Sequence, residues 1–171
     1  MSDPQPVVSK PKGTMGWLWH LLLLGLCLGV LASIIFPVFA SARVAATKTR
    51  CLSNLKELAV AQLLYSEDNQ EQRLPDANRW MDLTKRYIKS GLSTTYHCPS
   101  APDGEFGYAM SSSLNRKSVT EIESLAKEIL IFDSKRTNWN ASGDPRRDST
   151  ERHGFPNAAY ADGHAGRLFL K

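Results

Sequence analysis

Apolar positions crowd the start of this chain. From Gly13 to Ala42 it reads GTMGWLWHLLLLGLCLGVLASIIFPVFASA, thirty residues without Asp, Glu, Lys or Arg. At about 1.5 Å of rise per helical residue, roughly twenty apolar residues cross the hydrocarbon core of a bilayer. Residues 15–40 are therefore expected to form a transmembrane helix, with Trp17 and Trp19 near its start, where indole rings favour the headgroup level. Beyond Ala42 the pattern turns periodic. Leu52, Leu55, Ala59 and Leu63 recur at steps of three and four, one apolar stripe of an amphipathic helix, and Leu58, Gln62 and Tyr65 widen it. The helix is expected to run on to the polar residues 66–72, with Pro75 closing the segment. Its first half suits lipid. Its second half needs a protein partner, which the remaining hundred residues can supply.

Shorter elements follow. Pro75-Asp76 opens a second helical segment, with Trp80, Leu83 and Tyr87 on one side and Gly91 after its end. Residues 93–102 are turn-rich, and EFGYAMS (105–111) reads as a short strand. Residues 115–127 are mixed. EILIFDS (128–134) is the clearest strand, an apolar run of strand length between polar neighbours. Residues 135–156 are a loop by composition, and a loop of that length is often functional. NAAYADGHAGRLFLK (157–171) reads as a hairpin turning at Asp162-Gly163. The expected fold is α+β: a long N-terminal helix packed on a small antiparallel sheet. The expected organisation is a polar tail (1–14), the transmembrane helix (15–40) and one globular domain (41–171) that begins with the continued helix.

Charge excludes one class of partner. Of the 21 Lys and Arg, only Lys10 and Lys12 precede Arg43; of the 17 Asp and Glu, only Asp3 does, which leaves the domain at +3. No basic stripe or aromatic-basic motif accompanies that small excess, so nucleic acid is not an expected partner. Arg43, Lys48 and Arg50 flank the apolar run, as basic residues beside lipid headgroups do.

Two lysines, an apolar run and Ala40-Ser41-Ala42 also suit a secretory signal cleaved after Ala42, which would release a soluble domain. The run exceeds the roughly 7–15 residues of a signal core, which favours a retained anchor. Counting Lys and Arg on either side of the run favours a cytoplasmic domain. The cysteines favour the opposite side. Cys27 lies within the apolar run as a small hydrophobe, whereas Cys51 and Cys98 form an even pair in the domain, either a disulfide or two buried thiols.

Several blocks occur in a familiar order: FPVFASAR and CLSNLKELAVAQLLY, then CPSAPDGEFGYAM, ILIFDS and RHGFPNAAYADGHAGRL. Over roughly residues 33–171 the chain resembles a bacterial family of type IV pilin-like proteins, named for a C-terminal His, nine residues and Asp-Gly, and associated with prepilin processing. The resemblance implies a long helix anchored in the inner membrane, with the globular part outside the cytoplasm. It thereby agrees with a Cys51–Cys98 disulfide. Two departures stand out. Eight residues, not nine, separate His153 from Asp162-Gly163. Near the N-terminus, Gly16 precedes Trp17-Leu18-Trp19-His20-Leu21, so Leu21 stands where the family places a Glu thought to pair with a neighbouring subunit's amino terminus.

Candidate chemistry is sparse. His153, Asp162 and His164 could hold a divalent metal, although Asp-Gly is also a common turn. Asp103, Glu105 and Asp144 lack the spacing of a calcium loop, and His97-Cys98 lacks the second Cys pair of a zinc site. No nucleophile elbow, phosphate loop, dinucleotide fingerprint or zinc-protease helix is present. Trp139, in the charged loop, is the candidate surface contact for a ligand. The leading expectation is a non-enzymatic, membrane-anchored pilin-like protein that associates with itself or with similar proteins through its helix, by way of Gly25, Gly29, Leu52, Leu55, Ala59 and Leu63. The alternative is a solitary anchored module that binds a glycan or a divalent ion. No cofactor is expected.

Overall fold

The computed structural model of the chain describes residues 15–69, 71–89, 92–102 and 104–169. The expected tail (1–14), Asp103 and Gly91 lie outside these residues. One helix, α1, runs from Met15 to Glu67. The chain divides into two compact units at Arg43 and Val44, within that helix.

In the first unit, α1 is long and apolar enough to cross a membrane. Every residue from Gly16 to Arg43 is exposed. Its hydroxyls turn back onto the helix: Ser33 Oγ donates to the Val30 carbonyl at 2.7 Å and Ser41 Oγ to that of Val38 at 2.9 Å. Such bonds satisfy these hydroxyls within the helix itself. Pro37 sits inside the helix, a placement that lipid-spanning helices tolerate better than helices in water.

The second unit is an α+β domain with a pilin-like architecture. After α1 come α2 (Trp80–Thr84), extended by a short 3-10 turn, and α3 (Leu92–Thr95). A five-stranded sheet follows, in the order β3-β1-β2-β4-β5. Its strands are β1 (Tyr108–Ser111), β2 (Ile129–Asp133), β3 (Ser142–Gly143), β4 (Asn157–Tyr160) and β5 (Ala165–Arg167). Pairing is antiparallel except for β1 with β3, so the expected antiparallel sheet is mixed at one edge. The stretch expected to be an unbroken loop (135–156) contains β3 and α4 (Pro145–Asp148), whose Asp144 carboxylate caps the Arg146 amide at 2.9 Å. Polar composition hid these elements because they are too short to show a hydrophobic period.

Alternation along the strands gives the sheet two apolar faces. One packs against α1 through Leu55, Leu58 and Ala59, together with Trp80, Tyr96, Tyr108 and Met110. The other gathers Ala109, Phe132, Ala158 and Tyr160. Leu55 and Ala59 are fully buried in the domain's own core. That corrects the expectation that the whole stripe serves lateral association: its centre is already covered by this sheet, and only Leu52 and Leu63 keep partial exposure.

The register places polar groups at one end of the sheet. Tyr108 opens β1 opposite Asp133, the last residue of β2. Asn157, which opens β4, donates its backbone N–H at 3.2 Å and its side-chain amide at 2.9 Å to Asp133 Oδ2.

Candidate functional site

Four segments far apart in sequence meet at that end of the sheet. Cys51 comes from α1, Cys98 from the turn after α3, Asp133 from the end of β2 and His153 from the loop before β4. The sulfurs of Cys51 and Cys98 lie 2.6 Å apart, and both residues are fully buried. Both are free cysteines: the expected disulfide does not join them in this structure. His153 Nε2 stands 3.5 Å from Cys98 Sγ and 3.9 Å from Asp133 Oδ2, with its side chain only 3% exposed. Tyr108 Oη donates to the Cys51 carbonyl at 3.4 Å. The Asp133 Oδ1 atom is buried without a hydrogen-bond partner.

The electrostatics follow from crowding ionisable groups away from water. The bond between the thiols raises Cys51 far above the ordinary thiol range, and burial adds to this. The same bond lowers Cys98 to about 5 against the pull of burial, helped by the Ser100 backbone and His153. Burial, then the Cys98 charge, raises Asp133 to about 6, while Asn157 and His153 draw it back down.

A close approach of backbone builds the wall of the site. Gly107 has φ +90°, and a Cβ there would stand 3.1 Å from Cys98 Cβ and 3.0 Å from Arg152 Nη1. Arg152 uses that space. Its guanidinium donates to the Gly107 carbonyl at 3.1 Å and to the Ser134 carbonyl at 2.6 Å, so the loop with His153 is fastened to the start of β1 and the end of β2. Phe155 extends the fastening, with Lys48 Nζ 3.7 Å and the Arg167 guanidinium 4.5 Å from its ring centre.

The sequence-predicted residues divide accordingly. Cys51, Cys98 and His153 converge, with one ligand atom of each within 4.8 Å of the others; they form the one metal-capable group of three among the described residues. Asp162 and His164 lie elsewhere. Asp162 Oδ1 accepts the His164 backbone N–H at 3.0 Å and pairs with its ring at 2.5 Å, and that ring stacks on Tyr160 at 4.3 Å. They shape the hairpin turn. Trp139 is not a free surface ring: it packs edge-on against Tyr96 and Phe106, and its indole N–H donates to Asp82 at 3.1 Å. Asp133, Gly107 and Arg152 were missed. The one local signal was the Asp closing the apolar run ILIFD, a charge where the strand is still buried.

The far face of the sheet borders a groove of about 1,020 Å³. Lys127, Arg146, Arg147 and Arg167 outnumber Glu128 and Asp144 around it. At the other site class, Gly25 and Gly29 are four residues apart on α1, and a Cβ at either would meet nothing within 4 Å. Small residues at this spacing let two lipid-embedded helices approach closely.

No protein-family model, curated protein or solved structure matches the chain.

Proposed function

We propose that this is a non-enzymatic, membrane-anchored pilin-like protein of the bacterial cell envelope, with its α+β domain outside the cytoplasm, that associates laterally through the lipid-embedded part of α1. One observation carries the reading: α1 is a single helix whose residues 16–43 present apolar side chains on every side, while its later turns are built into the core of a domain. A helix apolar all round suits lipid or other helices rather than water. The mechanism is packing. Association falls to residues 16–43, with Gly25 and Gly29 as the close-approach face, because Leu55 and Ala59 are occupied within the domain.

In-membrane crosslinking of the full chain tests this. Gly29→Leu, which fills the face without adding charge, should abolish crosslinked oligomers, and a charged Gly25→Arg should do the same. Unchanged crosslinking with Gly29→Leu would refute association through this face. A periplasmic-reporter fusion to the C-terminus tests the side of the membrane; an inactive reporter would refute the orientation.

A second reading, an anchored module for an acidic glycan, is favoured by the groove and its excess of cations. Trp139 has no part in it. Polygalacturonate should bind the full chain and neutral dextran should not, with binding lost in Arg146→Glu/Arg147→Glu. Equal binding of both polymers would remove this reading.

A further inference from the structure

The loop of residues 149–156 has the composition of a solvated connection, yet it is held at nearly every step. Ser149 bridges Ser134, and the Thr150 amide donates to the Asp133 carbonyl at 3.0 Å. Arg152 spans two carbonyls, of Gly107 just before β1 and Ser134 just after β2. Phe155 lies between two cations, one of them on α1. The Leu168 amide donates to the Pro156 carbonyl at 2.9 Å. The loop so fastened sets His153 Nε2 3.5 Å from Cys98 Sγ, beside the buried pair of sulfurs.

We propose that Cys51 and Cys98 close to a disulfide that ties α1 to the loop leading into β1, and that the Arg152–His153 loop is a lid sealing this staple from reductant. The disulfide rests on the extracytoplasmic reading above, because thiols persist in the cytosol and oxidise outside it.

Two ligations compete for the same sulfurs. Tetrahedral zinc, with Zn–S bonds of about 2.3 Å, needs sulfurs about 3.7 Å apart. These are 2.6 Å apart, so zinc requires the helix and the turn to separate, whereas an S–S bond of about 2.05 Å requires a small further approach. Closure consumes both thiol hydrogens: a thiol–disulfide oxidant gives up its own S–S bond and becomes two thiols as the Cys51–Cys98 bond forms. Both cysteines are fully buried in the closed domain, so the exchange precedes seating of the lid. Once the lid is seated, no reductant reaches the sulfurs without opening it. The bond is then structural rather than a switch.

The test uses the full chain recovered from membranes into an alkylating agent. Denatured without reductant, it should be alkylated at Cys27 alone and be lighter than the reduced chain by the two thiol hydrogens. Folded in detergent, the wild type should resist a small thiol reductant. His153→Ala/Arg152→Ala should be reduced on the order of tenfold faster or more, because local opening then suffices. Arg152→Lys, which keeps one donor, gives the same readout if the double variant does not fold, with a smaller acceleration. Alkylation of Cys51 and Cys98 before reduction would overturn the staple, as would a bound metal ion whose chelation frees both thiols. Equal reduction rates in wild type and lid variants would overturn the lid. The reporter fusion separates the two failures: free thiols with an active reporter sink the staple alone, whereas free thiols with an inactive reporter sink the orientation and the staple together.

Discussion

Replacing Gly107 by Ala probes the wall of the buried site at its tightest point. Two costs add there. An L-residue at φ +90° is strained by about 1–2 kcal/mol. The new methyl also stands 3.0–3.1 Å from Arg152 Nη1 and from the Cβ atoms of Ala101 and Cys98, and overpacking of this kind costs about 1–3 kcal/mol. The total is about 2–5 kcal/mol. Gly104 supplies the control, because it has φ +82° and open space where its Cβ would be, so Gly104→Ala carries the strain alone, about 1–2 kcal/mol. For a domain of this size, 1 kcal/mol moves Tm by roughly 3–5 °C. Gly107→Ala should therefore lower Tm by about 6–25 °C and Gly104→Ala by about 3–10 °C. Near-ultraviolet circular dichroism of the full chain in detergent follows the loss of packing around Trp80 and Trp139 while the exposed apolar stretch of α1 stays folded. Equal losses in the two variants would refute the close approach, and with it the seating of Arg152 over Gly107.

Asp133 gives a pH signature. Its carboxyl titrates near 6 in the folded chain against 3.8 ordinarily, so between these values the folded state binds more protons than the unfolded state. Stability should then fall as pH rises through that window, by at most about 3 kcal/mol, and by less once oxidation removes the Cys98 charge. Asp133→Asn should flatten the dependence of the urea midpoint on pH in that window, and an unchanged slope would contradict it. Both amide atoms of Gln62 are buried without hydrogen-bond partners, so Gln62→Met should raise stability by about 1–3 kcal/mol in urea unfolding. A drop would mean that the amide has a role the packing does not reveal. Leu55→Ala, at a fully buried position, should cost about 2–5 kcal/mol, whereas Val60→Ala, 40% exposed on the same helix, should cost well under 1 kcal/mol. Similar losses at both sites would contradict the observed face of α1.

What the residues revealed in advance follows the range of the forces involved. The long helix was legible because the run from Gly13 and the stripe from Leu52 are local repeats, and each fixes its own surroundings, lipid-like or core-like. The strands at 129–133 and 157–167 were legible for the same reason, together with the Asp-Gly turn between β4 and β5. The two-residue β3 was not, since it exists only by pairing with Met110 and Ser111 across the sheet. The site was harder still. His153 drew attention as a metal-capable residue, but its expected partners were the next acid and the next imidazole along the chain, Asp162 and His164. Those two satisfy each other across the turn, while the true neighbours of His153 arrive from α1, the turn at Cys98 and the end of β2. The charged loop misled for a related reason. Composition there marks only a loop, yet the guanidinium of Arg152 serves two backbone carbonyls from two nitrogens of one planar group. A lid over buried thiols must present donors inward and charges outward, so its composition matches that of an idle loop. Only the carbonyls it meets tell the two apart.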